Sequence, residues 1–183
     1  MPDESVPDGF LFRAADYGSE VEAILALDGD GERLMPLVMQ RSTALAIGDR
    51  LRAAPAARLF GGARAPEAAL SGLYVYFSCF EEAHATAQEL STAEGSYWHA
   101  IVHRQEPDAG NAAYWFRQVG THPIFPALAR AAGRSGRWDP FAFLEMCEQA
   151  RRHPGSEQET RARVIQRAEW QLLFDYCARP AAA

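Results

Sequence analysis

Signals that begin and end helices recur along this chain, whereas signals for strands are nearly absent. Ser91, with Glu94 three residues later, fits a capping box at the start of a helix. Asp108 and Asp139 each stand where a side-chain oxygen caps the next helix, and Gly120 fits the glycine that follows a helix. The chain is therefore predicted to be all-α, an irregular single-domain bundle of six to eight helices.

Two longer segments support this fold class. Residues 70–90 are apolar at first and then rich in helix formers, so they are predicted to form one helix. Residues 156–177 are amphipathic and long enough for about six helical turns. The length of 183 residues suits one domain, 1–183, in which residues 1–18 are expected to form an extended N-terminal arm.

Composition excludes several kinds of partner and site. No apolar run reaches about 18 residues, so no membrane partner is expected. The N-terminus lacks the order of a secretory signal, which predicts a cytoplasmic protein. The net charge is −6, and this acidic total argues against a nucleic-acid partner, which needs a basic face. Cys79, Cys147 and Cys177 lie far apart in apolar surroundings and are predicted to be reduced core thiols.

Residues 94–123 concentrate groups that bind metals, protons and anions. This segment holds three of the five histidines and two of the four tryptophans. His99 and His103 are four residues apart, so at about 100° per residue their side chains share one narrow stripe of a helix. Two imidazoles in this arrangement can chelate one divalent ion. The three consecutive aromatic residues 114–116 cannot all face inward, so at least one must contact another helix, a subunit or a ligand.

Three other residues are candidates for a further metal ligand. Glu106 lies on the same stripe if the helix extends that far, and His122 follows the helix after that. His84 belongs to the preceding helix, which a short loop would fold back against the histidine helix. Imidazole nitrogens favour Zn²⁺, with Fe²⁺, Ni²⁺ and Mn²⁺ as alternatives, so one divalent metal is the predicted cofactor. Three protein ligands would leave an open position for water.

A metal on this stripe would make the protein a metal-dependent enzyme of the hydrolase, lyase or oxygenase type. Glu82 and Glu94 are the candidates for a general base. Arg104 and Arg117 are the candidates for orienting an anionic group, because arginine binds such groups bidentately. The predicted ligand is therefore a small anionic molecule.

Two interpretations without a metal stay open at the level of sequence. The first is an anion site at the amino end of a helix, formed by Arg104, Asp108, Asn111 and Arg117. A local ion pair of Arg104 with Glu106 or Asp108 competes with that role. In the second interpretation, the histidines and arginines form a hydrogen-bonded stripe in a non-catalytic ligand-binding or homo-oligomeric scaffold domain.

The segment also resembles a known pattern, E-G-x-Y-W-H-x-x-x-H-R-x-E-x-D-x-x-N-x-x-Y-W-F-R-x-x-G-x-H-P. This is similar to a family of uncharacterised bacterial and fungal proteins, closely over residues 94–123 and more loosely over residues 70–125. The resemblance implies no activity. It implies that one unit contains Glu94, His99, His103, Arg104, Glu106, Asp108, Asn111, Arg117 and His122. A looser similarity, to metal-binding four-helix bundles of the DinB type, implies three histidine ligands.

Overall fold

The computed structural model describes residues 10–40 and 45–181, and all regular structure in these residues is helical, which confirms the predicted all-α class. They contain two short 3₁₀ helices, Ala14–Tyr17 and Ala26–Gly31, and ten α-helices. In chain order the α-helices are α1 Ser19–Leu25, α2 Leu45–Arg52, α3 Ala56–Leu59, α4 Pro66–Tyr76, α5 Phe80–Gln88, α6 Ala93–Gln105, α7 Ala109–Val119, α8 Phe125–Ala131, α9 Pro140–Ala150 and α10 Glu157–Ala178. None of these described helices is both long and apolar enough to cross a membrane.

Local capping sets the starts of the helices in the second half of the chain. The side chains of Asp108, Asp139 and Ser156 accept hydrogen bonds from backbone amides in the first turns of α7, α9 and α10. The start of α6 corrects the prediction, because Thr92 and not Ser91 caps this helix. The Thr92 hydroxyl accepts from a first-turn amide at 3.2 Å. Serine and threonine offer the same capping oxygen, so the sequence does not distinguish the two neighbours.

Residues 70–90 form parts of two helices, so the prediction of one helix is wrong. α4 ends at Tyr76, α5 begins at Phe80, and Ser78 between them has a positive φ of 57°. Nearly all of α4 is buried, whereas α5 has an exposed face. The turn therefore lets the chain leave the interior before α5 packs along α6.

The core is built around α4, α6 and α10. α10 packs against α4, α8 and α9, while α6 packs against α4, α5 and α7. Trp170 and Phe174 of α10 stack with ring centroids 4.9 Å apart, and the Trp170 indole donates to the Gly72 carbonyl at 2.8 Å. A Cβ atom on Gly72 would lie 2.8 Å from the Trp98 ring, so this position needs a glycine. All three cysteines are buried and form no disulfide, as predicted.

Part of the predicted N-terminal arm packs on this core. Residues 1–9 lie outside the described residues. Phe12 and Tyr17 are buried, and their ring centroids lie 6.1 and 5.0 Å from that of Phe174. The Tyr17 hydroxyl also donates to the Asp175 carboxylate at 2.7 Å. The chain is therefore held against α10 before α1 begins.

Candidate metal centre

Helix α6 is buried around its whole circumference, so its polar side chains need partners inside the protein. Every residue from 95 to 105 is buried. A buried polar group without a hydrogen-bond partner is costly. At about 100° per residue, His99 and His103 point to one side of the helix, and Tyr97 and Arg104 point to the opposite side. The two sides form two separate polar clusters.

The first cluster joins α5 to α6 through three histidines. His84 of α5 lies beside His99 and His103, and the Nε2 atoms of His84 and His99 are 3.0 Å apart. One nitrogen from each of the three rings lies within 4.8 Å of the others. Of the candidates for a third ligand, the structure therefore brings His84 to the histidine pair. The packing of α5 on α6, which the short connection predicts, places it there.

The rings of this three-histidine cluster have a defined arrangement. His99 and His103 are nearly parallel, with centroids 4.8 Å apart and planes at 17°. The plane of His84 lies at 87° and 90° to those two rings. Trp115 of α7 stacks on His99, with centroids 4.1 Å apart and planes at 21°. The indole covers one face of His99 and restricts the rotation of that ring.

The spacing of the nitrogens suits a small metal ion. Two nitrogens bound to one tetrahedral Zn²⁺ at about 2.0–2.1 Å lie about 3.3 Å apart. The His84–His99 separation of 3.0 Å is close to this value. The remaining separations are at most 4.8 Å. They exceed the zinc value by no more than about 1.5 Å, which side-chain rotation can close.

Burial favours the neutral form of the imidazoles. It lowers the pKa of His99 to about 4, with smaller contributions from His84 and His103. Burial, followed by His103, also lowers the pKa of His84. Metal ligation requires an imidazole whose lone pair is free of a proton. His84 and His99 are therefore in the state that a metal needs at neutral pH.

Glu106 lies beside the three-histidine cluster, on one edge of the His103 ring. Its Oε2 is 3.0 Å from His103 Nδ1. Because the carboxylate takes Nδ1, the nitrogen of His103 left for the other two histidines is Nε2. Glu106 also forms a second group of ligand-type atoms with His103 and Asp108. Glu106 thus supports one of the histidines and is not grouped with all three.

The second cluster, on the opposite side of α6, pairs Arg104 with Glu169 of α10. The two side chains are 1% and 0% exposed. The Tyr97 hydroxyl donates to the same carboxylate at 3.1 Å. The predicted local pairing of Arg104 with Glu106 or Asp108 is wrong, because the helix directs the guanidinium away from that turn and against α10.

Three other predicted site residues have different partners. His122 packs against Tyr97, and its Nε2 lies 3.9 Å from Oε1 of Glu94. These two residues therefore lie on the Tyr97 side of α6. Glu82 forms an ion pair with Arg52 of α2. The groups of ligand-type atoms in the described part of the chain contain none of these three residues.

The residues of the predicted anion site do not converge. Arg104 is inside the protein on Glu169. Arg117 is exposed on α7. The Asn111 amide donates to the Asp108 carboxylate at 2.7 Å and completes the cap of α7. The two arginines therefore do not share a ligand.

One residue in each of the two clusters was not predicted individually. The aromatic run predicted that at least one of its rings contacts another helix, a subunit or a ligand, without saying which ring. Phe116 is buried, Tyr114 is exposed, and Trp115 covers His99. Glu169 carries a weaker signal, because it is an acidic residue on the apolar stripe of α10. Such a residue predicts a buried partner without identifying it.

No protein-family model, curated protein or solved structure matches this chain. The resemblance of residues 94–123 to a family of bacterial and fungal proteins stays a prediction.

Proposed function

We propose that this protein is a metal-dependent enzyme whose centre is one divalent metal ion, preferentially Zn²⁺, bound by His84, His99 and His103. The observation that supports this most directly is the placement of three imidazole nitrogens within 4.8 Å of one another. The lowered pKa of His99 adds support, because perturbed groups of this kind concentrate at functional sites.

The ligand set favours hydrolysis over the other reaction types. Three histidines with no carboxylate are a ligand set of catalytic zinc sites, in which water takes the fourth position. A metal in such a site lowers the pKa of its bound water to about 7 and supplies a hydroxide nucleophile. Non-haem iron oxygenases use two histidines and one carboxylate instead. Here the nearby carboxylate, Glu106, contacts the outer nitrogen of His103.

The structure removes part of the support for an anionic substrate. Arg104, one of the two arginines expected to orient an anionic group, is bound to Glu169. Arg117 is exposed and remains the second candidate. Glu82 and Glu94 have partners outside the three-histidine cluster, so we assign neither as a general base. The proposed substrate is a small molecule that reaches the metal and its water.

One observation favours a second candidate function. The direct hydrogen bond between His84 and His99 satisfies a nitrogen of each ring without a metal. In that case the cluster is a structural part of a non-catalytic ligand-binding or homo-oligomeric scaffold domain. Metal content separates this function from the metal-dependent enzyme.

The metal is tested on protein purified without a histidine tag or chelator. We expect one equivalent of metal by mass spectrometry, and its loss in the double variant His99→Ala/His103→Ala. His153→Ala is the matched control, because His153 is exposed and outside the cluster, and it should retain the metal. A wild-type protein that stays metal-free after incubation with Zn²⁺ would contradict the proposal.

Catalysis is tested separately with p-nitrophenyl acetate and bis-p-nitrophenyl phosphate as probes of water activation. We expect hydrolysis by the Zn²⁺-loaded protein, loss of it in His84→Ala and retention in His153→Ala. If the protein binds one metal but shows no metal-dependent hydrolysis of either probe, the proposed metal site is supported and the proposed hydrolase activity is rejected.

A further inference from the structure

The two nitrogens of an imidazole differ in role, and the partner of one decides what the other can do. Among the described residues, Glu106 provides the one carboxylate within hydrogen-bond distance of the three-histidine cluster. The His99 ring differs from that of His103, because its buried Nδ1 has no hydrogen-bond partner. His103 is therefore the histidine of the cluster whose orientation a carboxylate sets.

The end of α6 brings this carboxylate into place. The Glu106 amide donates to the Val102 carbonyl at 2.9 Å, and the Asp108 amide donates to the His103 carbonyl at 2.9 Å. These two bonds hold the chain in a turn that directs Glu106 back over the ring three residues earlier. The Glu106 side chain is 45% exposed, so it lies at the rim of the cluster.

We infer that Glu106 is a positioning residue: it holds the proton of His103 on Nδ1 and directs Nε2 toward His84 and His99. This inference rests on the proposed metal function. A carboxylate behind a metal-binding imidazole fixes its tautomer and strengthens it as a ligand, and loss of such a partner weakens metal affinity by about 10- to 100-fold. Glu106 thus acts on the metal through His103 and is not itself a ligand.

Two substitutions at this position separate the hydrogen bond from the charge. Glu106→Gln keeps an oxygen that can accept from Nδ1 but removes the charge, whereas Glu106→Ala removes both. We expect Zn²⁺ affinity to fall in the order wild type, Glu106→Gln, Glu106→Ala, with the alanine variant about 10- to 100-fold weaker. Competition with a chelator of known affinity at constant pH measures these constants.

Glu81→Ala is the matched control. Glu81 is an exposed acid on α5, the helix of His84, so its loss changes the net charge by the same amount. Its Zn²⁺ affinity should stay within about threefold of wild type, since a surface charge is screened by solvent and salt. If Glu81→Ala weakens Zn²⁺ affinity as much as Glu106→Ala does, the positioning role is overturned, and the loss of affinity is a general effect of removing negative charge.

The tautomer of His103 gives a readout that does not require a metal. Nitrogen-15 spectra of the Zn²⁺-free protein should place the proton on Nδ1 in wild type and distribute it over both nitrogens in Glu106→Ala. A proton on Nε2 in wild type, or equal Zn²⁺ affinity in wild type and Glu106→Ala, would overturn the inference while the metal centre stands. A wild-type protein that binds no Zn²⁺ would instead reject the proposed function and, with it, the positioning role.

Discussion

Arg104 and Glu169 form a bidentate ion pair in the interior, although 65 positions separate them in the chain. Nη1 of Arg104 lies 3.2 Å from Oε1, and Nη2 contacts Oε2. The Arg104 guanidinium also lies 4.7 Å from the centroid of Phe143. The pair joins α6 to α10 directly behind the face that presents His99 and His103.

Breaking this pair on one side leaves a buried charge without a partner. We expect Arg104→Met and Glu169→Gln each to lower the free energy of unfolding by about 3–5 kcal/mol. The double variant Arg104→Met/Glu169→Met should recover most of this loss, because it removes both charges. Urea denaturation measures all three. If each single variant unfolds with a free energy within about 1 kcal/mol of wild type, the loss of one partner costs less than is usual for a buried ion pair.

Metal binding should stabilise the folded protein. At a free Zn²⁺ concentration about 100 times the dissociation constant, the expected gain is about 2.7 kcal/mol, provided that the unfolded chain does not bind the metal. A thermal shift that increases with Zn²⁺ measures this gain. The shift should disappear in His84→Ala and persist in His153→Ala. An equal shift in both variants would place the metal away from the cluster.

His122 should make stability depend on pH. Burial lowers its pKa to about 4 in the folded protein, from an ordinary value of 6.5. Between these values the unfolded chain binds the proton and the folded protein does not, so stability is fully present above about pH 6.5 and is lost as the pH falls toward 4. The shift corresponds to roughly 3 kcal/mol.

His122→Asn tests this dependence. Asparagine keeps a hydrogen-bond acceptor near the position of the histidine Nδ1 but has no ionisable side chain. The free energy of unfolding of the variant, measured by urea denaturation, should change less than that of wild type between pH 6.5 and pH 4. Two parallel stability profiles would show that His122 is protonated equally in both states.

Trp115 should report metal binding by fluorescence, because its ring stacks on His99 at 4.1 Å. Cu²⁺ bound to the cluster is expected to quench this indole. The quenching should be lost in Trp115→Phe and in His99→Ala/His103→Ala. Quenching that survives in the histidine double variant would come from Cu²⁺ bound elsewhere.

The parts predicted from sequence are those decided by neighbouring residues. A cap acts within three or four residues, so Asp108 and Asp139 were recognisable. Helical periodicity placed His99 and His103 on one face, and a short connection was enough to bring His84 to them.

The parts that were not predicted depend on distant partners or on competing local signals. The partner of Arg104 lies on α10, and no local pattern selects Glu169 over the nearer acids. The break at Ser78 follows from the different burial of α4 and α5, whereas the residues on both sides favour a helix. His122 and Glu94 were candidates by composition, and only packing shows that they lie on the other side of α6.

The histidines at the centre all come from residues 84–103, two successive helices and the short link between them. A metal that joins them closes only a small loop, whose entropy cost is low, whereas the Arg104–Glu169 pair must bring together distant parts of the chain. We therefore expect the contacts between α5 and α6 to form before the contact between α6 and α10. We expect the helical hairpin to bring its three histidines together early in folding, before the C-terminal helix has docked.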